Sequence, residues 1–164
     1  MSGLALGCDT YAHQGCVEAS GKAVAVMAHG LDYIYPKANT NLADLILKTG
    51  GVLVSEYPPG VKPEKWFFTA RDRLQSALSD IVIIIETGLK GGTQHTIKAA
   101  IEQKKKLICV SPVDPYLDHE KTQGTLKLIR DGKAYPIGSS VELPALIERY
   151  LNMHNQNYIQ KQLF

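Results

Sequence analysis

The chain has 164 residues, 45% of them hydrophobic and 21% charged, enough for one domain with a real core, which excludes a disordered chain. Its formal net charge is only +2, so affinity for a polyanion must come from a local patch and not from a global field. The three cysteines, Cys8, Cys16 and Cys109, lack metal-type spacing, and neither HExxH nor CxxC occurs, so no metal or other cofactor is expected.

Residues Met1 to Gly7 read as the tip of a strand running into a Gly-rich turn. Asp9 is placed to cap a helix over about Thr10 to Ala19, ended by Gly21. The short apolar run up to Ala28 reads as a buried parallel strand, followed by a loop through His29-Gly30-Leu31-Asp32 and Tyr35-Pro36-Lys37. Asn39 or Thr40 caps a helix to about Lys48, with Leu42, Leu45 and Ile46 on its inner face. Gly50-Gly51 introduces the strand Val52 to Ser55. A proline-stiffened loop, Ser55-Glu56-Tyr57-Pro58-Pro59-Gly60-Val61-Lys62-Pro63, leads to a helix expected over Thr69 to Leu78.

Ile81 to Ile85 is the most β-prone run of the chain and the best candidate for a central strand. A Gly-rich loop, Glu86 to Thr93, opens a helix to Lys104, and Lys106 to Val110 is a further buried strand. A polar loop, a short helix over Thr125 to Arg130, a strand over Ala134 to Ile137 and a helix from Ser140 to about Met153 complete the order. Residues 1–153 are expected to form the domain and residues 154–164 a polar tail that frays. Alternating strands and helices give an α/β, Rossmann-like three-layer fold with a mostly parallel sheet. Without a basic-then-apolar leader or an apolar run of membrane-spanning length, the expected location is cytoplasmic.

In such a sheet, ligands bind beyond the carboxyl ends of the strands. That edge collects Lys37, Arg71, Arg73 and Lys90, interleaved with Tyr35, Tyr57, Trp66, Phe67 and Phe68. Basic groups that follow phosphates, beside rings that stack bases, suit single-stranded nucleic acid. Trp66 and Phe67 read more simply as packing the loop down, whereas Phe68 beside the arginines is open to a ligand role. Gly91-Gly92-Thr93 is a strand-to-helix turn able to approach an anion, although it is neither a P-loop nor G-x-G-x-x-G. Asp9 and His13 sit i, i+4 at a helix start, with a turn-fixing role preferred to catalysis.

On these residues the chain resembles the DNA-processing protein A family, also called Smf. The stretches that carry it are Ser2 to Asp9 with Ala12-His13, Ala28 to Asp32 with Tyr35-Pro36-Lys37 and Asn41-Leu42, Ser55 to Gly60, and Phe68 with Arg71-Asp72-Arg73. The match is looser through Gly88 to Thr96 and around Gly124-Thr125. The resemblance implies a non-catalytic single-strand DNA binder that loads a RecA-type recombinase in natural transformation and forms a homodimer. It implies a nucleic-acid site of Lys37, Phe68, Arg71, Arg73, Gly91, Gly92 and Thr93, with Ser2 and Gly3. Against the family pattern, Asp72 stands where asparagine is usual, and this charge is expected to weaken phosphate binding. The strand and Gly-Ser-Arg turn that the family carries before Ser-Gly-Leu-Ala have no counterpart ahead of Ser2, so an N-terminally truncated domain or a start upstream of Met1 is expected. The alternative is a nucleotide-binding or nucleotide-hydrolysing Rossmann protein like the lysine-decarboxylase-like phosphoribohydrolases. Their turn is followed closely by a glutamate, where this chain has Gln94-His95-Thr96.

Overall fold

The computed structural model describes the backbone of residues 1–162 and the side chains of residues 1–152. In chain order the elements are α1 (Cys8–Glu18), β1 (Val24–Met27), α2 (Thr40–Lys48), β2 (Val52–Ser55), α3 (Lys65–Ala77) and β3 (Ile81–Ile84). They continue with α4 (Thr93–Glu102), β4 (Lys106–Val110), α5 (Gln123–Arg130), β5 (Tyr135–Ile137) and α6 (Leu143–Gln162). Short 3-10 turns precede α2, α5 and α6. The alternation is the expected α/β one, and every strand pair is parallel. The residues divide into two compact units, Met1–Ser79 with His95–Gln103, and Asp80–Gln94 with the chain from Lys104 onward.

In the first unit, β1 pairs with β2 from Val24↔Val52 to Met27↔Ser55. The other edge of β1 is met by the chain start: Ser2 N–H donates to the Val24 carbonyl at 3.1 Å, and Val26 N–H to the Ser2 carbonyl at 2.9 Å. Leu4, Ala25, Met27, Leu42, Ala43 and Ile46 form the core. The α2 residues in it, Leu42, Ala43 and Ile46, follow the i, i+1, i+4 spacing of one helical face. Ile46 is fully buried, and truncating it to alanine would cost about 2–5 kcal/mol.

In the second unit the strand order is β3-β4-β5, with a core of Ile108, Ile137 and Leu146. The sequence marks β3 as central, but in this sheet β4 holds the middle and β3 lies at an edge. β propensity scores residues one at a time and fixes neither neighbours nor burial; Ile83 and Ile85 are 38% and 51% exposed.

Several boundaries also differ from those read off the sequence. Helix α3 starts at Lys65 and not near Thr69, so Trp66, Phe67 and Phe68 belong to its first turn. The last helix begins behind a capping box of Ser139 and Glu142, where the sequence suggests Ser140, and runs to Gln162 beyond Met153. Leu163 and Phe164, in the expected tail, lie outside the described residues. Among the described residues no helix is long and apolar enough to cross a membrane.

Candidate nucleic-acid interface

At the carboxyl end of β1 the chain turns through three loops that lock onto one another. Asp9 is the hub of the first. Its carboxylate accepts from the Ser2 hydroxyl, from Gly3 N–H at 2.9 Å and from Ala5 N–H at 3.1 Å. It therefore fixes the Ser2–Ala5 turn and does not cap α1, whose N-cap position is Gly7. Asn39, buried before α2, donates from Nδ2 to the Leu4 carbonyl at 2.9 Å and to Thr10 Oγ1 at 2.9 Å. The sequence marks Asn39 as a helix cap; the structure spends its amide on tying two loops together.

The proline-rich loop is latched in the same way. Gly60 N–H donates to Asp32 Oδ1 at 2.8 Å, Gly30 N–H to the Val61 carbonyl at 2.9 Å, and Tyr33 Oη to the same carbonyl at 3.1 Å. Ser55 Oγ donates to the His29 carbonyl at 2.7 Å. Gly30 has to be glycine, because a Cβ there would lie 2.4 Å from the Pro58 carbonyl oxygen.

The two arginines of α3 do different things. Arg71 is buried, and its Nη1 donates to the Gly3 carbonyl at 3.1 Å and to the Val26 carbonyl at the edge of β1. Its Nε reaches Asp72 Oδ1 at 3.3 Å. The guanidinium fills the space beside Gly3, where a Cβ would fall 2.1 Å from Nη1. Burial pushes the Asp72 carboxyl above the ordinary aspartate range, against the opposing pull of Arg71. Arg73, two residues on and on the opposite side of the helix, is exposed; its Nη2 holds both oxygens of Glu56 at 2.8 and 2.7 Å. The carboxylate set against Arg73 is thus Glu56, and Asp72 serves Arg71.

The open part of this unit is aromatic and basic. Phe68 is half-buried, and its ring centroid lies 6.1 Å from that of Tyr35, which is 49% exposed. Buried His29 stacks on Tyr33 at 4.7 Å and meets Tyr35 edge-on at 6.5 Å, backing the pair. Two residues after Tyr35, Lys37 is exposed and its Nζ has no partner among the described residues. Of the predicted cations in this unit, Lys37 is the unengaged one. Ser2 and Gly3 spend their polar groups on Asp9, Arg71 and the edge of β1. His13 and His29 are each 1% exposed with an unpartnered Nε2, and burial lowers the His13 pKa.

The Gly91-Gly92-Thr93 turn belongs to the second unit. Gly91 has φ +132°, and a Cβ at Gly91 or Gly92 would meet nothing within 4 Å, so the turn is open. Gln94, in the stretch that lacks a glutamate after the turn, is used internally: Nε2 donates to the Gly88 carbonyl at 2.7 Å and to Thr87 Oγ1 at 3.3 Å. Thr87 in turn accepts through its carbonyl from Gly124 and Thr125 N–H at 2.9 and 3.2 Å, which sets the loop against the start of α5. Among the described residues no group of three or more His, Cys, Asp or Glu could hold a metal ion.

A parallel Rossmann-like α/β architecture, with basic and aromatic side chains at strand ends, defines the general class. The family model for DNA recombination-mediator protein A matches residues 1–147, and the chain belongs to this family. It is 40% identical over 134 residues to the DNA processing protein DprA of Bacillus subtilis, covering 80% of this chain and 43% of that protein. To the DprA of Streptococcus pneumoniae it is 37% identical over 137 residues, covering 81% of this chain and 48% of that protein. The chain thus spans less than half the length of these relatives. Its fold matches the X-ray structure of the S. pneumoniae protein with a TM-score of 0.78 at 33% identity, over 88% of this chain and 49% of that one. It also matches a structure of DNA processing protein A from Helicobacter pylori, one concerned with that protein's single-stranded DNA binding mode. There the TM-score is 0.72 at 30% identity, over 95% of this chain and 65% of that one.

Proposed function

We propose that this chain binds single-stranded DNA without acting on it chemically, as a homodimer that delivers the strand to a RecA-type recombinase in natural transformation. The observation that carries the reading is Lys37, exposed and without a partner among the described residues, two residues after Tyr35 of the open Tyr35–Phe68 ring pair at the carboxyl end of β1. Lys37 supplies a phosphate contact and Phe68 a base contact. Arg73 contributes a second cation once a phosphate competes with Glu56 for it. Arg71, Ser2 and Gly3 hold the wall in shape from within. In the second unit, Gly91, Gly92 and Thr93 offer a separate open turn for an anion.

The kinship with proteins named for DNA processing, one of them with a described single-stranded DNA binding mode, supports this assignment. Titration of a fluorescein-labelled oligothymidine, followed by anisotropy at two salt concentrations, tests it. Binding that weakens with salt is expected; an oligonucleotide that stays free at low salt rejects the reading. Light scattering and a pull-down with a RecA-type protein test the dimer and the partner in the same way.

A further inference from the structure

The sequence assigns Trp66 to packing beneath the loop, together with Phe67. The structure separates the two. Phe67 is buried at 7% exposure, whereas Trp66 remains 61% exposed in the first turn of α3. The exposed indole is nevertheless held in place. Its ring packs edge-on against Phe67 at 4.1 Å, Phe67 stacks on Tyr57 at 4.1 Å, and Trp66 Nε1 donates to Glu64 Oε2 at 2.7 Å. A large ring left in water and fixed at two points has already lost much of the freedom that binding would remove. Lys62 and Lys65 precede it by four residues and by one, both exposed and both without a partner among the described residues. The Glu64 carboxylate between them already accepts from the indole.

We infer that Trp66, with Lys62 and Lys65, forms a second nucleic-acid contact, where a base of the single strand stacks on the indole and the neighbouring phosphates meet the two lysines. The inference rests on the single-stranded DNA reading above and extends it beyond the Tyr35–Phe68 pair. The chemistry is sequence-tolerant, since any base presents a π-face and any linkage presents a phosphate. Charge selects the partner: two exposed lysines in the same segment as a fixed ring suit a polyanion with planar substituents, whereas a proline-rich peptide would use the ring and leave both lysines idle.

Trp66 is the sole tryptophan of the chain, so its fluorescence reports this contact directly. The experiment pairs intrinsic emission with the anisotropy of a labelled 20-nucleotide oligothymidine, on wild type, Trp66→Ala, Trp66→Phe and the double variant Lys62→Ala/Lys65→Ala. Binding is expected to quench the wild-type emission. Trp66→Ala should weaken affinity about five-fold or more at an unchanged salt slope, and Trp66→Phe should restore most of the loss. The lysine variant should lower the slope of log K against log salt by about 1.4. If the oligonucleotide binds while emission and the Trp66→Ala affinity both stay at their starting values, this inference fails and the DNA reading stands. If wild-type anisotropy does not rise at low salt, the DNA reading fails and takes this contact with it. Quenching by a proline-rich peptide but not by the oligonucleotide would also overturn it.

Discussion

Replacing Arg71 by alanine separates a structural arginine from a DNA-binding one. In the structure its guanidinium serves two backbone carbonyls, Gly3 and Val26, and the mostly buried Asp72. Removing it leaves two acceptors without a donor, at about 1–3 kcal/mol each. It also strands a carboxylate whose ionisation burial already disfavours; breaking such a buried pair costs about 3–5 kcal/mol. One side chain provides all these contacts, so the losses overlap, and a total of about 3–5 kcal/mol is expected. Against a typical stability of about 5–15 kcal/mol that is a large fraction. In urea unfolding followed by circular dichroism, the midpoint should fall by about 2 M. Arg71→Lys should recover only part, because an ammonium cannot reproduce the planar fork. Were Arg71→Ala to unfold within about 0.5 kcal/mol of wild type while flattening the salt dependence of oligonucleotide binding, Arg71 would be a phosphate ligand and the reasoning would be wrong.

Other predictions follow the same logic. Gly124→Ala would put a Cβ 2.2 Å from the Gly88 carbonyl oxygen; the loop must move, and stability should drop by about 1–3 kcal/mol, read as a lower Tm. Burial holds His13 below its ordinary pKa of 6.5, so the folded state binds this proton less readily than the unfolded one. Its contribution is therefore intact above pH 6.5 and is lost as pH falls below it. Urea midpoints measured from pH 8 to pH 5 should decline at the acid end, and His13→Asn should flatten that decline. Burial pushes the Cys109 thiol up to about 11, whereas Cys8 is exposed, so a thiol reagent at pH 8 should modify Cys8 at once and Cys109 only after unfolding.

Much of the architecture is legible in the sequence, because each legible element carries its own period. Helix α2 announces itself through Leu42 and Ile46, and each strand through a short apolar run ended by turn residues. The start of α3 is hidden, since Glu64 is a poor cap and the helix begins only two residues after Pro63 of the proline-stiffened loop. The opposed fates of Arg71 and Arg73 do have a local signal. Phe67 and Arg71 are four apart and share a helical face, whereas residues two apart cannot, so one arginine had to turn inward with the buried phenylalanine. Pairings between distant segments have no such signal. Nothing local to Asn39 says that it holds Leu4, or that Glu56 reaches Arg73. The edge position of β3 is equally invisible, because an isoleucine run signals strand propensity and leaves both strand order and burial open.

The central claim is that the ring-and-lysine edge of the first unit meets a DNA backbone through Lys37. The most direct measurement is the salt dependence of oligothymidine affinity for wild type and Lys37→Ala, across 50 to 200 mM sodium chloride. The account predicts weaker binding by the variant, with a slope shallower by about 0.7, the signature of one lost phosphate contact on a single strand. Equal affinity and equal slope in the two proteins would contradict it.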